Sequence, residues 1–297
     1  MIEVSIIIPT YNRASILDRA LRSVLTQKGV SFETIVVDDG STDGTKDLVQ
    51  SVIAGSEATK QSLSPEIASP LHKNMTGLAM TNIRYLYQSN RGPSAARNLG
   101  ISHARGKFIA FLDSDDEWMP GKLVAQLHYF EENPDSLICQ TEEIWIRNGR
   151  RVNPMKKHKK YGGWIFEKCL LLSIVSPSAV MMRREFFDRV GLFDESLPAC
   201  EDYDLWLRAS CRMPIGLIEK PYVIKYGGHL PAGEAGADQQ SRCFPVLDRF
   251  RIRSIRNLLA SGVLNESQKE AALQELKCKC EIVARGALKR GLAPFGV

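Results

Sequence analysis

The sequence predicts an α/β fold, a mainly parallel sheet flanked by helices with a C-terminal helical extension. Three observations carry that expectation. Short β-branched runs alternate with amphipathic segments through the first half of the chain. Each run ends in a polar stretch, as strands do where they lead into loops above a sheet. The tail of the chain reads as helix.

Taken in order, VSIIIP (4–9), FETIVVD (32–38), IRYLYQ (83–88) and KFIAFLD (107–113) read as four strands. Between the first two, Ile16, Leu17, Ala20, Leu21, Val24 and Leu25 fall on one helical face, and Leu48, Val49 and Val52 do the same in the next helix. The segment from Gly55 to Asn82 is rich in Ser, Thr, Ala and Pro and lacks a sustained period, so 55–82 reads as a surface insertion. Pro120 suits the first turn of a helix running to about Asn133. Asn148-Gly149 marks a hairpin turn. Further on, PSAVMMRR reads as a strand, EDYDLWLRASC as a helix and IGLIEKPYVIKYGG as one or two short strands. In the tail, Asn265 is placed to cap a helix carrying Leu273, Leu276, Cys280, Val283 and Ala287 on one face. In a sheet wound this way, ligands collect beyond the carboxyl ends of the strands. TYNR, DDGSTDGT, SNRGPSAARN and DSDDEW are therefore expected to face one crevice.

Composition narrows the classes. The chain has 297 residues, 44% of them hydrophobic, enough to bury a real core. Its apolar runs fall far short of the ~20 residues that a membrane-spanning helix needs. Strand-like sequence begins at once, leaving no room for a signal peptide, so a cytoplasmic location is expected. Seven cysteines in scattered positions make no disulfide framework, and Cys278-Lys-Cys280 lacks the second ligand pair of a zinc site. A net charge of +5 is mild, and nucleic acid is not an expected partner. The densest basic cluster, Met155 to Lys160, reads as a solvated loop or as a contact for an anion or a membrane surface.

The motifs carry a resemblance. SIIIPTYNR, VVDDGSTDGT, NRGPSAARNLGI and FLDSDDEWMPGKL together resemble the family 2 glycosyltransferases of GT-A fold. Glu201-Asp202 in ACEDYDLWLR is similar to that group's base-bearing motif, and His229 in YGGHL sits where a C-terminal histidine is expected. The order and spacing of these elements are specific, whereas a DxD alone is not. The resemblance implies a GT-A catalytic domain over 1–235 with a helical extension over 236–297. It also implies transfer of a sugar from a nucleotide donor with inversion, usually with a divalent metal.

The implied roles agree with what the chemistry needs. A departing nucleoside diphosphate gains negative charge, which a cation can absorb. Hard oxygen ligands suit Mg2+ or Mn2+, whose shell is completed by phosphate oxygens and water. Asp115 is the expected ligand, Asp113 is expected to reach ribose or sugar hydroxyls, and Asp116 to support from behind or cap a helix. His229 would add an imidazole that favours Mn2+, while Gln239, Gln240 and Arg242 beyond it are candidates for phosphate or acceptor contact. Asp39 can accept from uracil N3–H, which favours UDP over CDP, since cytosine presents an acceptor there. Thr10, Tyr11 and Arg13 would wall the base, with Tyr11 packing against it. Asp38 and Asp43 read equally well as turn residues. Arg97 and Asn98 are balanced between donor contact and anchoring a helix beside the crevice.

Inversion requires a base opposite the leaving group, and Asp202 is the expected one, with Glu201 beside it for the acceptor. An ordinary acidic helix start explains the same pair. Two other readings stand beside the transferase. A sugar-nucleotide nucleotidyltransferase would need a glycine-rich basic phosphate loop where this chain has PTYNRAS. A noncatalytic nucleotide-sugar-binding module is the other. A surface polysaccharide pathway, a saccharide or lipid-linked acceptor, a peripheral contact at the inner face of the membrane and a homodimer all stay open.

Overall fold

The computed structural model describes residues 2–61, 82–153, 155–227 and 246–289. β1 (Val4–Thr10) leads to α1 (Leu17–Leu25), β2 (Phe32–Asp38), α2 (Thr45–Gln61), β3 (Asn82–Tyr87), α3 (Pro93–His103) and β4 (Phe108–Phe111). Then come β5 (Glu117–Trp118), α4 (Lys122–Glu132) and a hairpin of β6 (Ile138–Arg147) and β7 (Arg150–Val152). α5 (Phe166–Leu171), β8 (Val180–Arg183), α6 (Glu185–Val190), α7 (Glu201–Ser210) and β9 (Gly216–Gly227) complete the alternating part. Two helices, Asp248–Ala260 and Glu266–Lys289, follow.

Among the described residues the strands form one sheet in the order β3-β2-β1-β4-β8-β6-β9-β5, with β7 paired to β6. The first half is parallel throughout, β3 to β2 to β1 to β4. β8 then pairs antiparallel with β4 and with β6, and β9 runs parallel to β6. β2 is buried along its whole length, Glu33 and Thr34 included, since both faces of an interior parallel strand are covered. One core lies on each side of the sheet. Ile6, Ile8, Leu17, Leu21 and Val36 belong to one, and Ile7, Ile35, Phe111, Trp206 and Leu207 to the other. Each fully buried side chain of this kind adds roughly 1.5–3 kcal/mol. α3 lies so close to β1 that a Cβ at Gly100 would collide with Ile7.

The strand and helix expectations correspond to observed elements, with informative differences. The helix before the insertion continues to Gln61 and β3 begins at Asn82, so the first part of 55–82 is α2 and not irregular chain. β3 keeps its register with β2, and the insertion does not disturb it. At the hairpin, Asn148 and Gly149 both take positive φ, 51° and 72°, as a two-residue turn of that kind demands. β9 is one strand interrupted by a bulge at Pro221, which explains why its sequence reads as two. Asn265 and Gln268 cap the last helix reciprocally, Asn265 Oδ1 accepting from Gln268 N at 2.9 Å and Gln268 Oε1 from Asn265 N at 3.1 Å. Leu273 on that helix is 50% exposed, while Ala272, Val283 and Ala287 are buried. The helix presents a face rotated slightly from the expected one. Ile255, Leu258 and Ala272 join the same core as α7, so the C-terminal helices pack onto the element that carries Asp202.

Candidate active site

The carboxyl ends of the parallel strands organise the site through short polar loops. Asp38, the last residue of β2, is 1% exposed; its Oδ1 accepts from Ser41 N at 2.8 Å and its Oδ2 from the Tyr85 hydroxyl at 2.6 Å. Burial, then the bond to Asp38, pushes the Tyr85 phenol well above its ordinary range. Asp43 accepts from Thr45 N and Ala14 N and holds the start of α2 against the loop after β1. These two carboxylates are turn residues. Asn12, with φ 51°, reaches across to accept from Thr42 N at 2.8 Å.

Asp39 is 4% exposed and already engaged. Oδ1 accepts from Gln88 Nε2 at 2.6 Å and Arg91 N at 2.9 Å, and Oδ2 from Gly92 N at 2.8 Å. A carboxylate offers about four lone-pair positions, so one remains for a ligand. Gly40 next to it has φ 86°, and a Cβ there would press on Asn90 N at 2.8 Å. Thr10 is buried beside Asp39, its carbonyl accepting from Asp39 N at 2.9 Å. Tyr11 is 42% exposed at the rim. Arg13 N donates to Thr45 Oγ1 at 3.0 Å.

The loop after β4 separates its three aspartates. Asp113 receives Arg97 Nη2 at 2.9 Å, and its backbone N donates to Ser178 Oγ at 3.0 Å. Burial would raise its carboxyl, but Arg97 and Lys225 outweigh burial and hold it below the usual range. Asp115 is raised, first by burial and then by Asp113. Its carbonyl accepts from Arg19 Nη2 at 2.8 Å, but its carboxylate has no side-chain donor among the described residues. Asp116 caps nothing, since α4 starts only at Lys122. It is 1% exposed, takes Ser178 Oγ at 2.6 Å and pairs with Lys225 Nζ at 3.2 Å. Burial lifts its carboxyl to about 7 even so. Asp116 thus holds β4, the segment before β8 and β9 together beneath the loop.

Arg97 joins this loop to α7. It is 5% exposed, donating Nη1 to Glu201 Oε1 at 2.7 Å while Nη2 holds Asp113. Burial would lower the guanidinium, yet the two carboxylates raise it further. Burial, with Asp202 adding to it, holds Glu201 above the usual carboxylate range despite Arg97. Glu201 Oε2 is buried without a partner among the described residues. Cys200, in the left-handed region at φ 62°, turns the chain into α7 so that Glu201 and Asp202 form its first residues. Asp202 Oδ2 accepts from Ser173 Oγ at 2.9 Å and Oδ1 from Tyr203 N at 2.7 Å. Asn98 anchors rather than reaches out, donating to Phe193 O at 3.0 Å and Glu195 Oε1 at 2.9 Å.

A cavity of about 310 Å³ brings Arg97, Asp113, Glu201 and Asp202 together. Its other wall was not expected: Glu143, Trp145, Arg147, His158, Lys160 and Lys225. Glu143, Trp145 and Arg147 alternate along β6, the period-two signal that identifies one strand face. The basic cluster at 155–160 is not merely a solvated loop. Lys160 is 3% exposed and pairs with Glu143 Oε2 at 3.2 Å, and the His158 ring lies 5.0 Å from that of Trp145. His229, Gln239, Gln240 and Arg242 lie outside the described residues.

The donor set suits a hard divalent cation. Among the described residues no three His, Cys, Asp or Glu side chains gather into a cage. Mg2+ and Mn2+ bound with a phosphate need only one or two carboxylates. The Asp115 carboxylate, raised by burial and then by Asp113 and without a side-chain donor among the described residues, fits that need.

The fold is of GT-A type. The family model for Glycosyl transferase family 2 matches residues 5–191, and the chain belongs to that family. It is 33% identical over 218 residues, 73% of its length, to an uncharacterised glycosyltransferase of Rickettsia felis, and spans 32% of that relative. It is 36% identical over 204 residues to TuaG of Bacillus subtilis, a glycosyltransferase named for teichuronic acid biosynthesis, covering 69% of this chain and 70% of that one. Among solved structures, residues 1–349 of Staphylococcus aureus TarS in complex with UDP-GlcNAc superpose with a TM-score of 0.66 at 21% identity, covering 96% of this chain and 73% of that one. A Pyrobaculum calidifontis mannosyltransferase in complex with GDP-Man and Mn2+ gives 0.61 at 18% identity, covering 95% and 75%. These likenesses are of fold. No helix among the described residues is long and apolar enough to cross a membrane.

Proposed function

We propose that the protein transfers a sugar from a nucleotide donor, UDP-sugar first, to an acceptor hydroxyl with inversion, in a metal-dependent reaction of surface polysaccharide assembly. The observation that carries this reading is the Arg97 clamp, which holds Asp113 of the β4 loop and Glu201 of α7 in one cavity with Asp202. The UDP-GlcNAc bound by TarS and the teichuronic acid pathway for which TuaG is named support the donor and the pathway.

Asp115 would hold Mg2+ or Mn2+, which takes up the charge growing on the departing diphosphate. Asp113 binds sugar hydroxyls. Thr10, Tyr11, Arg13 and Asp39 receive the nucleoside, Asp39 through its remaining lone pair. Glu201 meets the acceptor. Asp202 takes the proton from the acceptor hydroxyl as that oxygen bonds to the anomeric carbon and the bond to the diphosphate breaks on the opposite face. Ser173 and Tyr203 N fix the two oxygens of Asp202 for that task.

The test is calorimetry of a nucleotide-sugar panel with and without Mn2+, followed by product analysis. Free UDP and a glycoside of inverted anomeric configuration are expected. Pyrophosphate from UTP and a sugar phosphate would identify a nucleotidyltransferase, and binding without any product a noncatalytic module.

A further inference from the structure

Resting on the transferase reading, we infer that the acceptor is a saccharide chain bearing repeated negative charges, guided to Asp202 by a basic strip along the β6–β7 hairpin and the short 3-10 helix Lys156–His158. Between Glu143 and Glu167 the chain has no acidic residue. Arg150, Arg151, Lys156, Lys157 and Lys159 lie exposed over this stretch, and none has an acidic partner among the described residues. The strip does not end at the surface. Arg147, with its guanidinium 4.8 Å from the Trp145 ring centroid, and His158, against the same ring, line the cavity that contains Asp202.

Charge bookkeeping inside the cavity separates structural cations from those left for a ligand. Arg97 is matched by Asp113 and Glu201, Lys160 by Glu143, and Lys225 by Asp116. Among the described residues Arg147 is not matched; its described contacts are the Trp145 ring and the Ile146 carbonyl at 3.2 Å. The unmatched cations therefore run from the cavity wall out along the hairpin. A neutral glycan gains nothing from such a strip, whereas a chain carrying phosphodiesters or uronate carboxylates meets one complementary charge after another. An anionic bilayer would be attracted to the exposed lysines, but a flat surface does not reach Arg147 and His158 in the cavity wall. That location favours the saccharide.

The test uses the full chain and four probes: a short poly(glycerol phosphate), an oligogalacturonate, a dextran of matched length and phosphatidylglycerol vesicles. Binding is measured at low and high NaCl, with UDP calorimetry on the same preparation. One or both anionic oligomers should bind at least ~10-fold more tightly than dextran and weaken with salt. The oligomer preferred names the charged group. Replacing Arg150, Arg151, Lys156, Lys157 and Lys159 by Ser should remove that preference at an unchanged melting temperature. Arg147→Gln alone should reduce it. Equal binding of dextran, an unaffected five-residue variant, or binding confined to the vesicles would each overturn the inference. UDP binding without an anionic preference overturns this inference alone, whereas absence of UDP binding overturns the transferase reading beneath it.

Discussion

Arg97 Nη1 donates to Glu201 Oε1 at 2.7 Å, a buried bond that spans 104 residues of chain. The same guanidinium holds Asp113 on the β4 loop, so one side chain sets the spacing between that loop and α7. Arg97 and Glu201 are buried and Asp113 is partly so, and screening weakens the Glu201 side of the arrangement least. The Phe193 ring, 5.3 Å from the guanidinium, closes one face of it.

Arg97→Met should leave the buried Glu201 without its cation and Asp113 with only the more distant Lys225. The expected loss of stability is about 3–5 kcal/mol, the range for breaking a buried pair, with Glu201 protonating in response. Transfer should fall ~100-fold or more because Asp113 and Glu201 shift relative to each other. Arg97→Lys should regain part of the stability and little of the rate, since an ammonium cannot serve two carboxylates in a fixed fork. Denaturant melts and kcat read beside KM check this. Full activity in Arg97→Lys would show that the fork is dispensable.

Asp202→Asn keeps size and the bond from Tyr203 N to its one oxygen, its amide nitrogen donating to Ser173 Oγ instead, but it cannot take a proton. Donor and metal binding should survive while transfer falls ~100-fold or more. UDP release and glycoside formation are measured, with calorimetry on the same preparation. A variant at near wild-type rate removes Asp202 as the base and turns attention to Glu201. Loss of UDP affinity together with rate would mean that Asp202 contributes to the donor side.

The parallel half of the fold was legible because each of its strands carries its signal locally: a β-branched run, a polar end and a helix between. VSIIIP and FETIVVD name β1 and β2 almost residue for residue. The half after residue 138 was less so. The hairpin announces itself through Asn148-Gly149, but no local pattern says that β8 inserts between β4 and β6 or that β9 lies against β6. Those pairings depend on faces that meet only in three dimensions. The site divides the same way. Asp113, Arg97, Glu201 and Asp202 stand in motifs, whereas Lys160 looks like one solvated lysine of a cluster until Glu143 is seen beneath it. Asp116, expected to support from behind or cap a helix, is a strut held by Ser178 and Lys225, a pairing that no local pattern announces.

The difference between Asp115 and Asp116 is testable. Asp115→Asn should reduce Mn2+-dependent UDP binding and transfer together, with little change in melting temperature. Asp116→Asn should do the reverse, costing stability by depriving Lys225 of its partner while Mn2+-dependent UDP binding persists. Calorimetry and thermal melts on both variants decide it. Unchanged Mn2+-dependent affinity in Asp115→Asn would exclude that carboxylate as a metal ligand.

Lys122 offers a test remote from the candidate site. It is fully buried at the start of α4, with Nζ 4.0 Å from the Trp118 ring centroid and 2.5 Å from Gln126 Oε1. Burial pushes its ammonium down to about 7, with Cys139 opposing only in part. In the unfolded chain it would keep its proton to about pH 10. Between those values the unfolded state binds more protons than the native one, so this group makes stability rise with pH, by at most about 1.4 kcal/mol per unit. Below about pH 7 its contribution is flat. Tyrosines and thiols also titrate as pH rises, so the useful quantity is a difference. Lys122→Met keeps much of the volume and removes the charge. The stability of wild type minus that of Lys122→Met, from denaturant melts at pH 7, 8 and 9, should shift steadily in favour of wild type. A flat difference would mean that the ammonium stays charged in the native protein, held by the Trp118 face and Gln126.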